Sequence, residues 1–299
     1  MIAGISYFQA IVMGILQGAT ELFPVSSLGH GVLVPGWLGW HNLVNSQAHS
    51  ESFFLAFIVG LHVGTAVALI VFYWKTWVEL VQSLRPQGAL VRQRGVRMVW
   101  ALNDPATDAR YRTLFLLVIA TIPVGIIGLL FEHKLRVLFV KPLAAAIFLT
   151  INGVIMTLGE LLRRRRARHA AAVTVANLSP RAALAIGTSQ IAALFAGISR
   201  SGVTMVSGLS AGMEHEESAN FAFLLATPVI LLAGVLKIPD LFGPLGNGVR
   251  GQSLVGALFA AVAAYISVRF LTRWFNTKTL WPFAIYCLVA GAASVIRFA

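Results

Sequence analysis

The sequence predicts an all-α polytopic membrane protein: six transmembrane helices plus two re-entrant helix–loop–helix hairpins in an inverted-topology repeat. Three observations point there. Of 299 residues, 58% are hydrophobic and 11% charged, with a mean hydropathy of +0.80, whereas soluble domains carry about 25% charged residues. Apolar runs of ~20 residues, the length that crosses a bilayer as a helix, recur along the chain. Two further apolar regions are interrupted in mid-run by Gly, Pro and polar residues. Such irregular backbone is tolerated at membrane depth only inside protein or beside a wet cavity.

The elements follow in order. Residues 5–38 form the first interrupted region, read as a hairpin, and spans follow near 53–74, 113–131 and 142–162. The second interrupted region is 181–212, followed by spans near 220–237, 253–272 and 281–298. No basic n-region or small-residue cleavage site opens the chain, so no cleaved leader is expected. The two hairpins resemble each other. GILQGATELFPVSSLGH (14–30) and GTSQIAALFAGISRSGV (187–203), at an offset of 173, match Gly14/Gly187, Gln17/Gln190, Ala19/Ala192, Ser26/Ser199 and Gly29/Gly202. ESFFLAF (51–57) and ESANFAF (217–223) repeat at an offset of 166. The chain is therefore one integral domain, 1–299, with a first repeat over 1–162 and a second over 181–299. Each holds a hairpin and three crossings; an odd number of crossings inverts the second repeat.

Charge sets the orientation. The formal charge of +12 is spread over loops between apolar runs instead of one patch, which excludes nucleic acid as a partner. Segment 75–112 carries Lys75, Arg85, Arg92, Arg94, Arg97, Arg110 and Arg112, and RRRRAR stands at 163–168. The positive-inside rule makes both cytoplasmic, although loop 132–141, with Lys134, Arg136 and Lys141, then falls outside. The arginine run also suits anionic lipid. Hairpin one then enters from outside, hairpin two from inside, and their tips meet within the membrane. Both termini lie outside.

Few ionisable residues lie deep in apolar sequence. Glu160 and Arg269 sit near span ends and can snorkel to water. Glu21 and Arg200 sit inside the hairpins, where an unpaired charge costs at least ~2.5–3.5 kcal/mol. The inverted arrangement sets Glu21 and His30 opposite Arg200. One reading is a buried ion pair that pins the halves together. The other is an anion site, because Ser26, Ser27, Ser199, Ser201 and Thr204 surround the charges. Arginine offers a planar fork for phosphate oxygens, and a Gly-containing loop at a helix N-terminus adds amide donors. Glu21 can hold a divalent cation between phosphates or act as a base. His30 can be acid, base or nucleophile, and Ser27 is the alternative nucleophile.

The remaining polar residues admit two readings each. Gln17, one turn before Glu21, either faces the same cavity or packs as an amide between helices. His62 either serves the site or bonds a neighbouring helix. Trp37 and Trp40 read as interfacial anchors, and Glu214, Glu216 and Glu217 as a solvated turn. Polar residues of 41–50 line the outer mouth. The lone cysteine, Cys287, reads as a small buried side chain.

QGATELFPVSSLGH with AGISRSGVTM resembles the paired signature motifs of the undecaprenyl-pyrophosphate phosphatase family, the bacitracin-resistance phosphatases. LHVGT and FAFLLATP extend the resemblance over essentially the whole chain. It implies a bacterial inner-membrane hydrolase that removes the terminal phosphate of an isoprenoid diphosphate and so recycles the lipid carrier of peptidoglycan synthesis. By motif position, Glu21, Ser27, His30 and Arg200 would be catalytic. Gln17, Ser26, Ser199, Ser201, Gly202 and Thr204 would surround the diphosphate. The resemblance also implies a divalent cation, Mg2+ or Ca2+, tied to Glu21, and is compatible with a homodimer. Two positions depart from the pattern: Gln17 where many members have glutamate, and Ala196-Gly197 where Pro-Gly is common, the glycine being kept. A lipid-phosphate transporter or flippase of the same fold is the rival reading.

Overall fold

The computed structural model describes residues 4–47, 53–139, 141–166 and 173–299, and they are helical, with no strand among them. The only extended pairing described is an isolated bridge between Val173 and Met213. ESFFLAF, the 41–50 stretch and RRRRAR therefore lie partly outside the described residues.

The first interrupted region is two helices, α1 (Tyr7–Leu22) and α2 (Ser27–Trp37). Ser6 and Gln9 open α1 as a reciprocal capping box. Pro24 closes it, since the residue before a proline is driven out of the α region; Phe23 is extended, with ψ 139°. A short α3 (His41–Gln47) leads to α4 (Phe53–Phe72), which bends by 73° at Tyr73 into α5 (Trp74–Gln82) and α6 (Leu84–Arg94). The basic segment 75–112, expected as loop, is thus largely helical. It is polar enough to stand in water while its helices still close their backbone bonds.

Next come α7 (Ala109–Phe139) and α8 (Pro142–Arg166). The second interrupted region holds α9 (Pro180–Ser189), a 3-10 turn at Gln190–Leu194, and α10 (Arg200–Ser210). Then α11 (His215–Phe242), α12 (Arg250–Phe275) and α13 (Trp281–Phe298) complete the chain. Among the described residues, five helices are long and apolar enough to cross a membrane: Ala109–Phe131, Pro142–Arg165, His215–Gly234, Arg250–Phe275 and Trp281–Phe298. The bent α4 unit makes a sixth. They coincide with the expected spans, but α7 and α11 begin earlier and run further. A helix satisfies its own backbone, so it need not stop where lipid does.

Small residues let the helices touch at the backbone. A Cβ at Gly14 or Gly18 of α1 would overlap the carbonyl oxygens of Gly256 and Ala260 on α12. Gly64 of α4 meets Ala257 of α12 in the same way, and Gly187 of α9 meets Ala120 of α7. Contacts between helix ends sort them into two groups. The end of α8 and the starts of α11 and α13 share Glu160, which accepts from His215 Nε2 and from the Leu280 N–H, each at 2.6 Å. At the opposite pole the end of α2 meets the end of α13, through Trp37–Ser294 at 3.0 Å and the Trp37–Phe298 edge contact.

Glu160 corrects an expectation. It is fully buried instead of snorkelling, because His215 and the N-terminus of α13 supply donors that make burial cheaper than reaching water. The expected Glu-rich turn is the first turn of α11, with Glu214 paired to Arg163 and Glu217 accepting from the Val175 N–H.

Candidate active site

The two helix breaks face each other, and the same device builds both. Ser26 caps α2 by accepting from the Gly29 N–H at 3.2 Å, and Ser199 caps α10 by accepting from the Gly202 N–H at 3.1 Å. These are two of the sequence-matched pairs, each performing one job twice. Ser26 has φ +72°, the only positive φ outside glycine among the described residues. A strained non-glycine backbone of this kind needs surroundings that hold it. Ser26 Oγ supplies part of that by also accepting from the Gly197 N–H of the opposite break at 3.2 Å. Gly197 itself turns at φ +114°, and a Cβ there would overlap Ala145 O, so glycine is required twice over. A Cβ at Gly29 would sit 2.8 Å from Gly197 Cα. The breaks are in backbone contact.

Glu21 and Arg200 meet at this junction. Arg200 Nη2 donates to Glu21 Oε1 at 2.7 Å. Glu21 Oε2 accepts from Gln17 Nε2 at 3.1 Å and from the Ser27 hydroxyl in a short bond, and His62 Nε2 stands 3.8 Å away. Both charged side chains are almost wholly out of solvent, 7% exposed for Glu21 and 11% for Arg200. One carboxylate thus gathers four of the polar groups. Arg200 is only half used, because its buried Nη1 has no partner. A buried guanidinium nitrogen left unpaired is costly, and an incoming anion would satisfy it.

The other expected residues flank this centre. Ser199 and Ser201 hydroxyls lie 3.0 Å apart, Ser201 Oγ donates to Phe23 O at 3.3 Å, and Thr204 Oγ1 donates to Arg200 O at 2.7 Å. His30 is the exception. Its Nδ1 meets the Ser26 carbonyl at 2.8 Å and its Nε2 meets Tyr286 OH on α13 at 2.7 Å. Neither nitrogen touches Glu21 or Arg200. The site is therefore a Glu21–Arg200 centre with a separate His30–Tyr286 pair beside it.

Two residues escaped the sequence reading. Asn152 of α8, fully buried, donates to Pro24 O at 3.0 Å and accepts from the Ser199 N–H at 3.0 Å, tying one break to the other. A lone asparagine within span 142–162 was the available signal. Tyr286 carried a weaker one, a tyrosine inside a span instead of at its edge. His62, left open by the sequence, stands beside Glu21.

The tips thus bring together the carboxylate, guanidinium and hydroxyl groups of both signature motifs. A model of the family described as bacitracin resistance protein BacA matches residues 10–293. The chain belongs to this family. Among its relatives, the undecaprenyl-diphosphatase of Mycolicibacterium paratuberculosis is 48% identical, covering 100% of this chain and 99% of its own. Undecaprenyl-diphosphatase 2 of Frankia alni is 46% identical over 99% and 98%, and the undecaprenyl-diphosphatase of Acidiphilium cryptum 42% over 96% of each. The family match runs through both breaks, so every residue of the junction lies within the BacA-like region.

Proposed function

We propose that this BacA family member hydrolyses undecaprenyl diphosphate to undecaprenyl phosphate and inorganic phosphate, at the junction of the two helix breaks. It is a membrane hydrolase, and its lipid product re-enters cell-wall synthesis; bacitracin resistance goes with that activity. One observation carries the choice of site: Arg200 is paired through Nη2 and has a buried, unpartnered Nη1. Nη1 takes an oxygen of the terminal phosphate, and the hydroxyls of Ser26, Ser199, Ser201 and Thr204 surround the rest, with Gly202, whose amide donates to the Ser199 cap of α10, behind them.

Ser27 is the group already joined to a base. Its hydroxyl donates to Glu21 Oε2, so Glu21 takes that proton as Ser27 Oγ attacks the terminal phosphorus. The phosphoanhydride bond breaks, undecaprenyl phosphate leaves with the bonding electron pair, and water then cleaves the phosphoserine. Gln17 and Arg200 hold the carboxylate in place. His30, engaged at both nitrogens, is the weaker candidate nucleophile and the better candidate for orienting or proton transfer in the second step.

A divalent cation would find one carboxylate at this junction, that of Glu21. Among the described residues no three His, Cys, Asp or Glu side chains cluster as a cage. Glu21 and the Ser27 hydroxyl oxygen would hold Mg2+ or Ca2+ together with the diphosphate, as Mg2+ commonly shares one or two carboxylates with phosphate oxygens. When bound, it would neutralise charge on the diphosphate.

The same proposal makes the two broken helix pairs re-entrant hairpins of an inverted repeat. Several contacts support it. Gly251 at the start of α12 lies against Tyr7 at the start of α1, and Trp37 at the end of α2 lies against the end of α13. Consecutive antiparallel spans α12 and α13 put those ends on one side, so hairpin one enters and leaves there. At the other pole Arg112, at the start of α7, binds Leu178 O just before α9, and Ser218 on α11 meets Gly208 on α10. Exchanging the repeats also exchanges the packing partners: Gly14 rests on α12, and its match Gly187 rests on α7. Exposed Arg85, Arg92, Arg94, Arg164 and Arg165 gather at the second pole, which the positive-inside rule makes cytoplasmic. The Glu21 hairpin and both termini then face the periplasm.

The test is phosphate release by the purified chain in detergent. The proposal expects one phosphate per undecaprenyl diphosphate from the wild type and almost none from Glu21→Ala. Lipid binding without phosphate release would overturn the hydrolase reading and favour the transporter.

A further inference from the structure

We infer that Tyr286 is a positioning residue for the reaction: its phenol holds the His30 imidazole in one tautomer and one orientation through an O–H···Nε2 bond and a ring stack. This inference rests on the junction being the diphosphate site.

The geometry leaves little freedom. The Ser26 carbonyl can only accept, so the 2.8 Å contact puts the proton of the neutral ring on Nδ1. Nε2 is then the lone-pair nitrogen, and Tyr286 O–H is its donor at 2.7 Å. The rings also stack, with centroids 5.7 Å apart and planes 13° from parallel. His30 is thereby fixed by a carbonyl from its own helix and by a phenol from α13. A hydroxyl can reverse its role: when the ring takes a proton, Nε2–H donates and the phenol oxygen accepts. Tyr286 can hold His30 in either charge state, which neither an amine nor a carboxylate could do equally well.

The setting argues against a packing role. Tyr286 is 45% exposed on the same helix as Ile285 at 55% and Val289 at 65%, a surface suited to lipid. An apolar residue would serve there without burying a hydroxyl in need of a partner. The phenol instead reaches inward to a residue of the signature motif. Ser26, whose carbonyl holds the other ring nitrogen, also caps α2 and bonds Gly197 of the opposite break. Turning the imidazole would therefore disturb the backbone that carries Ser27.

Tyr286→Phe keeps the stack and removes the hydrogen bond. We expect kcat to fall roughly three- to tenfold, the worth of one such bond, with KM for undecaprenyl diphosphate unchanged. In a His30→Gln background the same substitution should cost nothing further, since its partner is gone. A merely structural tyrosine would lose equally in both backgrounds, and that result, or an unaltered kcat in Tyr286→Phe alone, would overturn the inference. Should the wild type release no phosphate, the junction reading itself would fall; should the wild type be active and the cycle additive, only the role of Tyr286 would fall.

Discussion

Arg200→Lys is the most revealing single change. Arg200 has Nη2 on Glu21 at 2.7 Å and a buried Nη1 without a partner, which the proposal gives to the substrate. Lysine keeps the charge but places it at one point, so it can serve the carboxylate or the phosphate, not both in the arginine geometry. The loss is then one hydrogen bond to a charged group, about 1.5–3 kcal/mol, or roughly 10- to 150-fold in turnover. The Glu21 contact, being intramolecular, keeps its partner, so the protein should fold and the deficit should fall on the substrate. The assay is initial phosphate release from undecaprenyl diphosphate in detergent, with the unfolding midpoint measured alongside. Turnover within twofold of the wild type would mean that charge alone suffices and the fork does nothing.

Other variants follow from the same contacts. Glu21→Ala strands Arg200 in a buried site, a loss of about 3–5 kcal/mol when one partner of such a pair goes, so phosphate release should nearly vanish. Gln17→Ala removes one neutral donor to Glu21 and should cost less than about tenfold; equal losses in folded proteins would contradict the ranking. Asn152→Ala leaves the Ser199 N–H and Pro24 carbonyl without their partner, at about 1–3 kcal/mol each. Its unfolding midpoint in detergent should drop, and an unchanged midpoint would remove Asn152 as a tie between the breaks. Gly18→Ala forces α1 off the Ala260 carbonyl and should destabilise by about 1–3 kcal/mol, whereas Gly4→Ala, with nothing within 4 Å, should be silent in the same melt.

Much of this was legible because the signals were local or periodic. Apolar run length placed every span, since a bilayer imposes its thickness on sequence directly. Gly, Pro and polar residues in mid-run placed both breaks, because they interrupt an apolar run locally; that Ser26 and Ser199 cap the helices beyond them came from the structure. The Glu21–Arg200 pairing followed from the cost of isolated charge at depth. What the sequence hid was long-range. Nothing within a few residues of Tyr286 points to His30, which is 256 positions away. Asn152 ties Pro24 to Ser199 across three elements. Glu160 looked able to reach water until the start of α13 was set upon it. The separation of His30 from Glu21 was hidden for a related reason: one helix break carries both, and the Ser26 carbonyl together with Tyr286 of α13 holds the imidazole aside.

The central claim is that the two tips form one diphosphate site open to the periplasm, and cysteine labelling reads it directly. A cysteine is placed by Ser27→Cys in a chain whose Cys287 is changed to Ala, and a membrane-impermeant thiol reagent is added to oriented cells. The account predicts labelling from the outer face only, suppressed when undecaprenyl diphosphate is added. Labelling from the cytoplasmic face alone, no labelling from either, or labelling indifferent to the diphosphate would contradict it.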